Sequence, residues 1–303
     1  MTIEILHQIF LRSNSVCTDT RKVQKNDLFF ALKGENFNGN LFAQEAIAKG
    51  ASHAIIDDEN YKTTEGCILV DDVLSALQQL AAFHRRYLNI KILALTGSNG
   101  KTTTKELLHT VLSKKFKTIA TRGNLNNHIG VPLTLLNMNN STEIGIIEMG
   151  ANHLKEIEFL CNLAQPDYGY ITNFGKAHLE GFGGIQGVIK GKSELYHHLI
   201  TNNKLIFLNT NDNKQVEILK GYKSTFSFGS HPKNDVIIHL VDVNPFVVSK
   251  FKSTIINSQL IGSYNFSNIS AALTIGNYFK INIHPIKDAM EQFEPNSTRS
   301  HPI

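Results

Sequence analysis

A glycine-rich turn between an apolar run and a helix constrains this chain more than any other part of its sequence. The run Ile92–Leu95 leads into Thr-Gly-Ser-Asn-Gly-Lys-Thr-Thr-Thr, which ends at Thr104. Gly97 and Gly100 allow the backbone to approach a ligand closely, and main-chain N–H groups at the start of a helix bind phosphate. A turn that only caps a helix is the alternative interpretation, but the strand before it and the Lys-Thr-Thr within it favour a phosphate-binding loop.

The side chains of this loop match the chemistry of a magnesium–nucleotide site. Lys101 supplies a mobile positive charge for the β- and γ-phosphates, and Thr102 supplies a hydroxyl group for Mg²⁺. The spacing is shorter than in the common phosphate-binding loop, because Leu95 stands where that loop has its first glycine. The pattern predicts nucleotide binding without fixing the reaction. The residues expected to contact ATP here are Gly97, Ser98, Asn99, Gly100, Lys101, Thr102 and Thr103.

Length and composition are typical of a two-domain globular protein. The chain has 303 residues, of which 42% are hydrophobic and 18% are charged. The net charge of +4 comes from scattered lysines and arginines, so nucleic acid is not an expected partner. Three well-separated cysteines favour reduced thiols, and the sequence has neither a signal-peptide pattern nor an apolar run of about 18 residues. We therefore expect a cytoplasmic monomer without a membrane-inserted segment.

The order of the apolar runs predicts an α/β fold in two domains. Residues 1–88 form a small α/β domain in this interpretation, and residues 89–303 form a larger domain that contains the phosphate-binding loop. In the larger domain, short apolar runs alternate with helical stretches, which predicts a mostly parallel sheet covered by helices. Apolar and polar residues alternate over 235–262, which predicts antiparallel strands at one edge. The runs predicted as parallel strands are Ile92–Leu95, Ile144–Ile147, Tyr168–Ile171 and Leu205–Leu208.

Several segments together resemble the MurF branch of the Mur ligase family. The short loop is joined by Thr121–Leu136, which contains Asn-Leu-Asn-Asn-His-Ile-Gly-Val-Pro, and by Ile146–His153, which contains Glu-Met-Gly-Ala-Asn-His. Ile171–Glu180 and the Gly-Lys-Ser-Glu-Leu-Tyr that ends at Tyr196 complete the central match. The first domain is similar to the family's uridine-binding domain. The segments that carry this second similarity are Ser15–Val23, Asp27–Gly34 and Asn38–Asn40.

The resemblance implies an ATP-driven ligase of peptidoglycan precursor synthesis. In the family, ATP phosphorylates the terminal carboxylate of UDP-N-acetylmuramoyl-tripeptide, and the amine of D-Ala-D-Ala attacks the acyl phosphate. Two Mg²⁺ sites are implied, because the transferred phosphoryl group needs positive centres around it. The implied catalytic residues are Lys101, Lys192 and His178. The implied metal ligands are Thr102, Glu148, His178 and, as a carbamate, Lys192.

For two of these implied metal ligands, the position in the sequence also supports the role. Glu148 ends an apolar strand, where ligands bind in open α/β sheets, although a lone carboxylate at a strand end is often only solvated. Lys192 stands four residues before Tyr196, the spacing of the family's carbamylated lysine. A solvated helix lysine is the alternative for Lys192, and Lys190 is a second candidate for the modification.

Further residues are implied in binding the two nucleotides. Gly262–Ala272 resembles the family's adenine-contacting segment, in which Asn265 and Asn268 lie one helical turn apart. Capping of a helix by Asn265 is compatible with that role. Residues of the first domain and of the segment 121–127 are implied for the UDP substrate. For the asparagines among them the alternative role is to form an ordinary turn, and for Arg21 it is a surface salt bridge. The residues implied for the UDP substrate are Thr20, Arg21, Thr121, Asn124, Asn126 and Asn127.

Members of the family carry a third, C-terminal domain, which is absent from this chain in our interpretation. Arg299 matches a linker arginine that approaches ATP in relatives. We expect a truncated form that keeps its ATP and UDP-substrate surfaces but has little ligase activity alone. An amino-acid-adding ligase of the MurE type and a non-catalytic nucleotide-binding fragment stay open as alternatives. A plain P-loop ATPase or kinase is disfavoured by the short loop and by the lack of a kinase signature.

Overall fold

The computed structural model describes residues 1–176 and 178–294, and its contacts divide the chain into two compact units. The first unit comprises residues 1–89, 128–140 and 162–164. The second comprises residues 90–127, 141–161 and the described residues from 165 onward. The sequence pattern does not predict that two later segments return to the first unit. The assignment of residues 1–88 to UDP-substrate binding and of residues 89–303 to ATP binding stays a prediction.

The first unit is built on a four-stranded parallel sheet in the order β1-β2-β5-β6. The strand Leu28–Phe30 is buried at every position, as expected for a strand that is covered on both faces. A separate two-stranded hairpin, β3–β4, follows it. The elements of residues 1–89 are α1 (Ile3–Arg12), β1 (Val16–Cys17), β2 (Leu28–Phe30), β3 (Lys33–Gly34), β4 (Phe37–Asn38), α2 (Ala43–Ala48), β5 (His53–Ile56), β6 (Cys67–Leu69) and α3 (Val73–Leu88).

Helix α3 has clear sequence signals at both ends. The side chain of Asp72 accepts a hydrogen bond from Ser75 N–H (2.7 Å) and so caps the N-terminus. Asn89 ends the helix in the left-handed conformation, which asparagine adopts more readily than most residues. The buried face of the helix carries Leu77 and Leu80, as helical spacing predicts.

A buried histidine pair joins α1 to α3. His7 Nε2 lies 3.0 Å from His84 Nδ1, and His84 Nε2 lies 3.0 Å from Met138 O. Because a carbonyl oxygen only accepts, His84 donates from Nε2, and a neutral His84 then accepts at Nδ1 from His7. Burial lowers the pKa of His7, and the neighbouring His84 lowers it further. Burial also lowers the pKa of His84.

The second unit contains a nine-stranded sheet in its described residues, in the order β15-β14-β13-β12-β11-β10-β7-β9-β8. Strands β7 to β13 pair with one another in parallel, whereas β14 pairs antiparallel with both β13 and β15. The predicted fold class is therefore confirmed. Two of the parallel strands, β8 and β12, were not predicted from apolar runs, because their positions are mostly half-buried. The elements from residue 90 are β7 (Lys91–Thr96), α4 (Lys101–Leu112), β8 (Thr118–Ala120), α5 (Gly130–Leu136), β9 (Ile144–Glu148), α6 (Glu156–Ala164), β10 (Tyr168–Ile171), α7 (Leu179–Phe182), α8 (Ile185–Thr201), β11 (Leu205–Asn209), α9 (Asn213–Ile218), β12 (Thr225–Gly229), β13 (Val236–Asp242), β14 (Phe246–Phe251), β15 (Thr254–Ile261), α10 (Asn265–Tyr278) and α11 (Ile283–Glu291).

Strand β7 lies in the middle of this sheet, between β10 and β9. Leu95 is in register with Glu148 of β9, and Thr96 is in register with Ile171 of β10. Because the three strands are parallel, their carboxyl ends meet at one edge of the sheet. The segments that follow them are therefore neighbours, at the place where open α/β sheets bind ligands.

The three cysteines, Cys17, Cys67 and Cys161, are free and buried. Within residues 1–176 and 178–294, no helix is both long and apolar enough to cross a bilayer.

Candidate functional site

The glycine loop follows β7 and has a backbone that suits only glycine at two positions. Gly97 has a φ of +147° and Gly100 a φ of +78°, both in regions that L side chains rarely adopt. A Cβ atom on Gly97 would lie 1.9 Å from Thr172 Oγ1, and one on Gly100 would lie 2.6 Å from Asn268 Oδ1. The two glycines therefore allow the segment after β10 and helix α10 to pack directly against the loop.

The segment after β10 binds main-chain atoms of the glycine loop. Ser98 N–H donates to Asn173 O (3.1 Å), and Asn99 N–H donates to Asn173 Oδ1 (3.1 Å). In return, Thr172 Oγ1 donates to Asn99 O (2.6 Å). These two loop amides are thus already paired, whereas the N-terminus of α4 has no side-chain cap. Since N–H groups in the first turn of a helix lack partners within the helix, this turn is the part of the loop that is suited to phosphate.

Lys101 is the first residue of α4, and its side chain folds back over the loop. Its Nζ donates to Gly97 O (2.8 Å) and to Ser98 O (3.2 Å). The ammonium group therefore lies beside the helix end that is suited to phosphate. Thr102 and Thr103 follow in the first turn of the same helix.

Glu148 ends β9 and is buried, with 1% of its surface exposed. Its Oε1 accepts a hydrogen bond from Asn126 Nδ2 (2.8 Å) and a longer one from Thr102 Oγ1 (3.4 Å). Its main-chain N–H donates to Thr121 Oγ1 (3.0 Å). Its Oε2 is buried and has no hydrogen-bond partner among the described residues. A buried carboxylate oxygen without a partner is costly, and it fits a cation-binding role.

Lys105 lies one turn along α4 from Lys101 and is fully buried, which is uncommon for a lysine. Its Nζ donates to Gly123 O (2.9 Å) and pairs with Glu106 Oε1 (3.0 Å). Glu148 Oε2 lies 3.7 Å from the same Nζ, within ion-pair distance but beyond an ordinary hydrogen bond. These contacts are not predicted from the sequence, although a lysine on the buried stripe of an amphipathic helix is a visible signal.

The structure brings together only part of the implied metal-ligand set. Thr102 and Glu148 are adjacent, and their hydroxyl and carboxylate oxygens suit Mg²⁺. His178 is exposed, has a φ of +53° and precedes α7, where its main-chain oxygen accepts a hydrogen bond from Phe182 N–H (3.2 Å). In the described parts of the chain, no three His, Cys, Asp or Glu side chains are grouped to hold a metal ion. Thr102 and Glu148 fit one Mg²⁺ site, whereas a role for His178 stays a prediction.

Lys192 and Lys190 differ sharply in their surroundings. Lys192 is buried in the middle of α8, whereas Lys190 is exposed. The Nζ of Lys192 lies 5.5 Å from the centre of the Phe182 ring. Burial, together with the smaller effect of the charge on Lys101, lowers the pKa of Lys192 to about 8. The lowered pKa increases the fraction of Lys192 that is a neutral amine near neutral pH.

The two asparagines implied in adenine binding are buried and engaged with each other. Asn268 Nδ2 donates to Asn265 Oδ1 (2.8 Å), and Asn265 Nδ2 donates to Ile261 O (2.9 Å). Asn268 Oδ1 accepts from Thr104 Oγ1 (3.1 Å) and so joins α10 to α4. Asn265 is the first residue of α10 and does not cap it. Adenine binding by this pair stays a prediction, and Arg299 lies outside the described residues.

The residues implied for the UDP substrate fall into two groups. In the second unit, Thr121 and Asn126 both contact Glu148, whereas Asn124 and Asn127 are exposed. In the first unit, Thr20 is half-buried. Arg21 is exposed there and forms a two-pronged ion pair with Asp19, with both N···O distances at 2.8 Å. This arrangement is the surface salt bridge that was the alternative for Arg21.

The family of the chain follows from comparison with known proteins. The family described as "Mur ligase middle domain" matches residues 95–276, and "Mur ligase family, catalytic domain" matches residues 13–85. A UDP-N-acetylmuramoyl-tripeptide–D-alanyl-D-alanine ligase of Bacillus subtilis is 37% identical over 274 residues, which are 88% of this chain and 59% of that protein. The chain thus spans about three fifths of the length of this curated relative.

Two solved structures extend the comparison to the fold. MurF from Acinetobacter baumannii superimposes with a TM-score of 0.83 at 32% identity, over 98% of this chain and 69% of that one. The MurF ligase from Thermotoga maritima in complex with ADP gives a TM-score of 0.79 at 27% identity, over 94% of this chain and 67% of that one. The chain therefore belongs to the Mur ligase family, in its MurF branch.

Proposed function

We propose that this chain binds ATP and Mg²⁺ at the N-terminus of α4 and serves an ATP-dependent ligase that joins D-Ala-D-Ala to UDP-N-acetylmuramoyl-tripeptide. One observation carries the proposal. The Thr102 hydroxyl and the buried Glu148 carboxylate meet beside a helix N-terminus that has no side-chain cap. Anion-binding N–H groups and oxygen ligands for a cation are the two requirements of a magnesium–nucleotide site.

The residues at the carboxyl ends of β7 and β9 have separate proposed roles in binding the triphosphate. The first-turn N–H groups of α4 bind phosphate oxygens, and Lys101 exchanges its contacts with Gly97 O and Ser98 O for the β- and γ-phosphates. Thr102 and Glu148 hold Mg²⁺, which offsets the negative charge that builds up during phosphoryl transfer. Thr103, Asn265, Asn268 and Arg299 complete the proposed ATP contacts.

The reaction follows the two-step chemistry of the family. The terminal carboxylate of the UDP-linked tripeptide takes the γ-phosphoryl group of ATP, which gives ADP and an acyl phosphate. The amine of D-Ala-D-Ala then attacks the acyl carbon, forms the peptide bond and expels inorganic phosphate. Lys101, a positive group beside the bound phosphates, stabilises the charge in the first step, whereas Lys192 takes part through the metal ion as described below. His178 stays a candidate ligand of a second metal ion.

We also propose that Lys192 becomes a carbamate. Its neutral amine adds to CO₂ and loses a proton, which converts a buried cation into a carboxylate. The low pKa of Lys192, about 8, supports this step, because only the unprotonated amine is nucleophilic. The product would pair with the neighbouring Lys101 and supply oxygens for a metal ion. A ¹³C NMR spectrum of the protein in ¹³C-bicarbonate should show a carbamate signal that is lost in Lys192→Arg and kept in Lys190→Arg.

The proposed contacts of the UDP substrate include Asn124 and Asn127, which are exposed, and Thr20, which is half-buried. Thr121 and Asn126 are also proposed contacts, and their side chains hydrogen-bond to Glu148. Arg21 would have to leave Asp19 to take part. We place the reaction in the cytoplasm, where reduced thiols such as the three free cysteines persist.

Nucleotide binding tests the proposal directly. We expect calorimetric titration of the 303-residue chain with ADP to show binding that tightens as Mg²⁺ is added. Glu148→Gln should weaken the Mg²⁺-dependent part by about tenfold or more, because it removes a charged metal ligand. Lys115→Met should leave it unchanged, because Lys115 lies beyond the other end of α4, where its Nζ donates to Phe279 O and Lys280 O. Absence of ADP binding in the presence of Mg²⁺ would contradict the proposal.

The identity of the amine substrate needs a separate assay. We expect phosphate release from ATP and UDP-N-acetylmuramoyl-tripeptide to be stimulated by D-Ala-D-Ala and not by a single amino acid. Stimulation by a diamino acid or lysine alone would support the MurE-type alternative. Tight ADP binding without any product would support a nucleotide-binding fragment.

A further inference from the structure

Lys105 has no part in the proposed reaction, yet its buried ammonium group lies beside Glu148. We propose that Lys105 is the resident counter-ion of Glu148 in the metal-free protein, and that its charge limits how tightly the site binds Mg²⁺. The inference rests on the proposed function, since it needs the metal at Glu148. It assigns a residue that tunes metal affinity without contacting ATP.

Burial explains why Glu148 needs such a partner. The side chains of Lys105 and Glu148 are each 1% exposed, and Nζ lies 3.7 Å from Oε2. An ionised carboxylate out of contact with water is unstable unless a positive charge lies near it. Lys105 is the cation that the described structure places within ion-pair distance of Glu148. It therefore places a compensating positive charge beside the carboxylate of the metal-free site.

The contacts of Lys105 show that it acts on Glu148 by charge. The carboxylate is oriented by Asn126 and Thr102, which donate to Oε1. Nζ of Lys105 is held by Gly123 O at 2.9 Å and by Glu106 Oε1 at 3.0 Å, and it does not hydrogen-bond to Oε2. Because other groups orient the carboxylate, removal of Lys105 changes mainly the local charge.

A divalent cation bound at Glu148 would be repelled by this ammonium group. Even in a water-like dielectric, a unit charge repels a divalent cation a side-chain length away enough to change affinity roughly tenfold. Lys105 thus stabilises the empty site and weakens the filled one. The opposite signs of these two effects separate this role from simple packing.

The test uses Lys105→Met, which keeps the length of the side chain, and Lys105→Gln, which keeps a donor for Gly123 O. The affinity for ADP is measured at a series of free Mg²⁺ concentrations. We expect the Mg²⁺ midpoint for tight ADP binding to fall roughly tenfold in both variants. Thermal unfolding of the metal-free variants should occur at lower temperature, and the difference from the wild type should shrink with Mg²⁺ and ADP. Lys115→Met serves as the lysine control: it should leave the Mg²⁺ midpoint unchanged, and any fall in unfolding temperature from its lost hydrogen bonds to Phe279 O and Lys280 O should not shrink with Mg²⁺ and ADP.

The neighbouring Glu106 gives a variant with the opposite expected sign. Glu106 is about one third exposed, so Glu106→Gln should fold even if the Lys105 variants do not. It removes a negative charge from the ammonium group and should raise the Mg²⁺ midpoint severalfold. An unchanged or higher midpoint in folded Lys105 variants, or an unchanged midpoint in Glu106→Gln, would overturn this inference. Loss of Mg²⁺-dependent ADP binding in the wild type would instead overturn the proposed function.

Discussion

Replacement of Gly97 by alanine tests whether the close approach of Thr172 shapes the loop. The added Cβ would lie 1.9 Å from Thr172 Oγ1 and 3.0 Å from Thr172 N, so either the loop or the segment after β10 must move. The contact at risk is the hydrogen bond from Thr172 Oγ1 to Asn99 O, at 2.6 Å. The φ of +147° adds strain of its own, because L side chains rarely adopt it.

The size of the effect follows from these two losses. Backbone strain of this kind costs about 1–3 kcal/mol. Loss of one hydrogen bond costs about 1 kcal/mol more. If the loop keeps its shape, the free energy of unfolding should therefore fall by about 2–4 kcal/mol. If the loop relaxes instead, about 2 kcal/mol of this cost appears in ligand binding, as a roughly 30-fold weaker affinity for ADP.

Urea unfolding and ADP titration of Gly97→Ala measure the two outcomes together. Gly221→Ala is the matched control, because Gly221 also has a positive φ, of +88°, but no atom lies within 4 Å of its added Cβ. The control should lose about 1 kcal/mol of stability and keep its affinity for ADP. If Gly97→Ala equals Gly221→Ala in both measurements, the reasoning from close approach is refuted.

Two predictions concern the first unit. The lowered pKa values of His7 and His84 mean that the unfolded chain binds more protons below about pH 6.5, so stability should be full above that pH and fall as the pH drops through the folded-state values. Urea unfolding at pH 8 and pH 5 checks this, and His84→Gln should flatten the dependence. Asp72→Ala removes the cap on Ser75 N–H and should cost about 1 kcal/mol in the same assay, whereas Asp71→Ala should cost little. An unchanged stability of Asp72→Ala would contradict the capping role.

Much of the second unit could be predicted because its strands are buried on both faces. The apolar run Ile144–Ile147 predicts β9, and Glu148 follows from its place at the end of that strand. The alternation of apolar and polar residues over 235–262 predicts the antiparallel edge, because one face of β15 is buried and the other is exposed. Strands β8 and β12 lack such a signal, because half-buried positions give no strong apolar run.

The contacts within the site could be predicted less well. The loop amides of Ser98 and Asn99 pair with Asn173, a partner more than 70 residues away that no local pattern indicates. Asn126 and Thr121 stand in a segment predicted for the UDP substrate, yet the side chains of both hydrogen-bond to Glu148. Such pairings depend on which strands are neighbours in the sheet, and the spacing of residues along the sequence does not predict the order of the strands.

We propose that the N-terminus of α4 holds a triphosphate while Thr102 and Glu148 hold its metal ion. A crystal structure of the chain with Mg²⁺ and a non-hydrolysable ATP analogue would locate both groups. We expect phosphate oxygens within hydrogen-bond distance of the main-chain N–H groups of residues 101–103. We also expect a metal ion about 2.1 Å from Thr102 Oγ1 or a Glu148 oxygen, or joined to them through ordered water. A triphosphate bound elsewhere, with Glu148 still paired to Lys105 and no metal beside it, would show that this site is assigned wrongly.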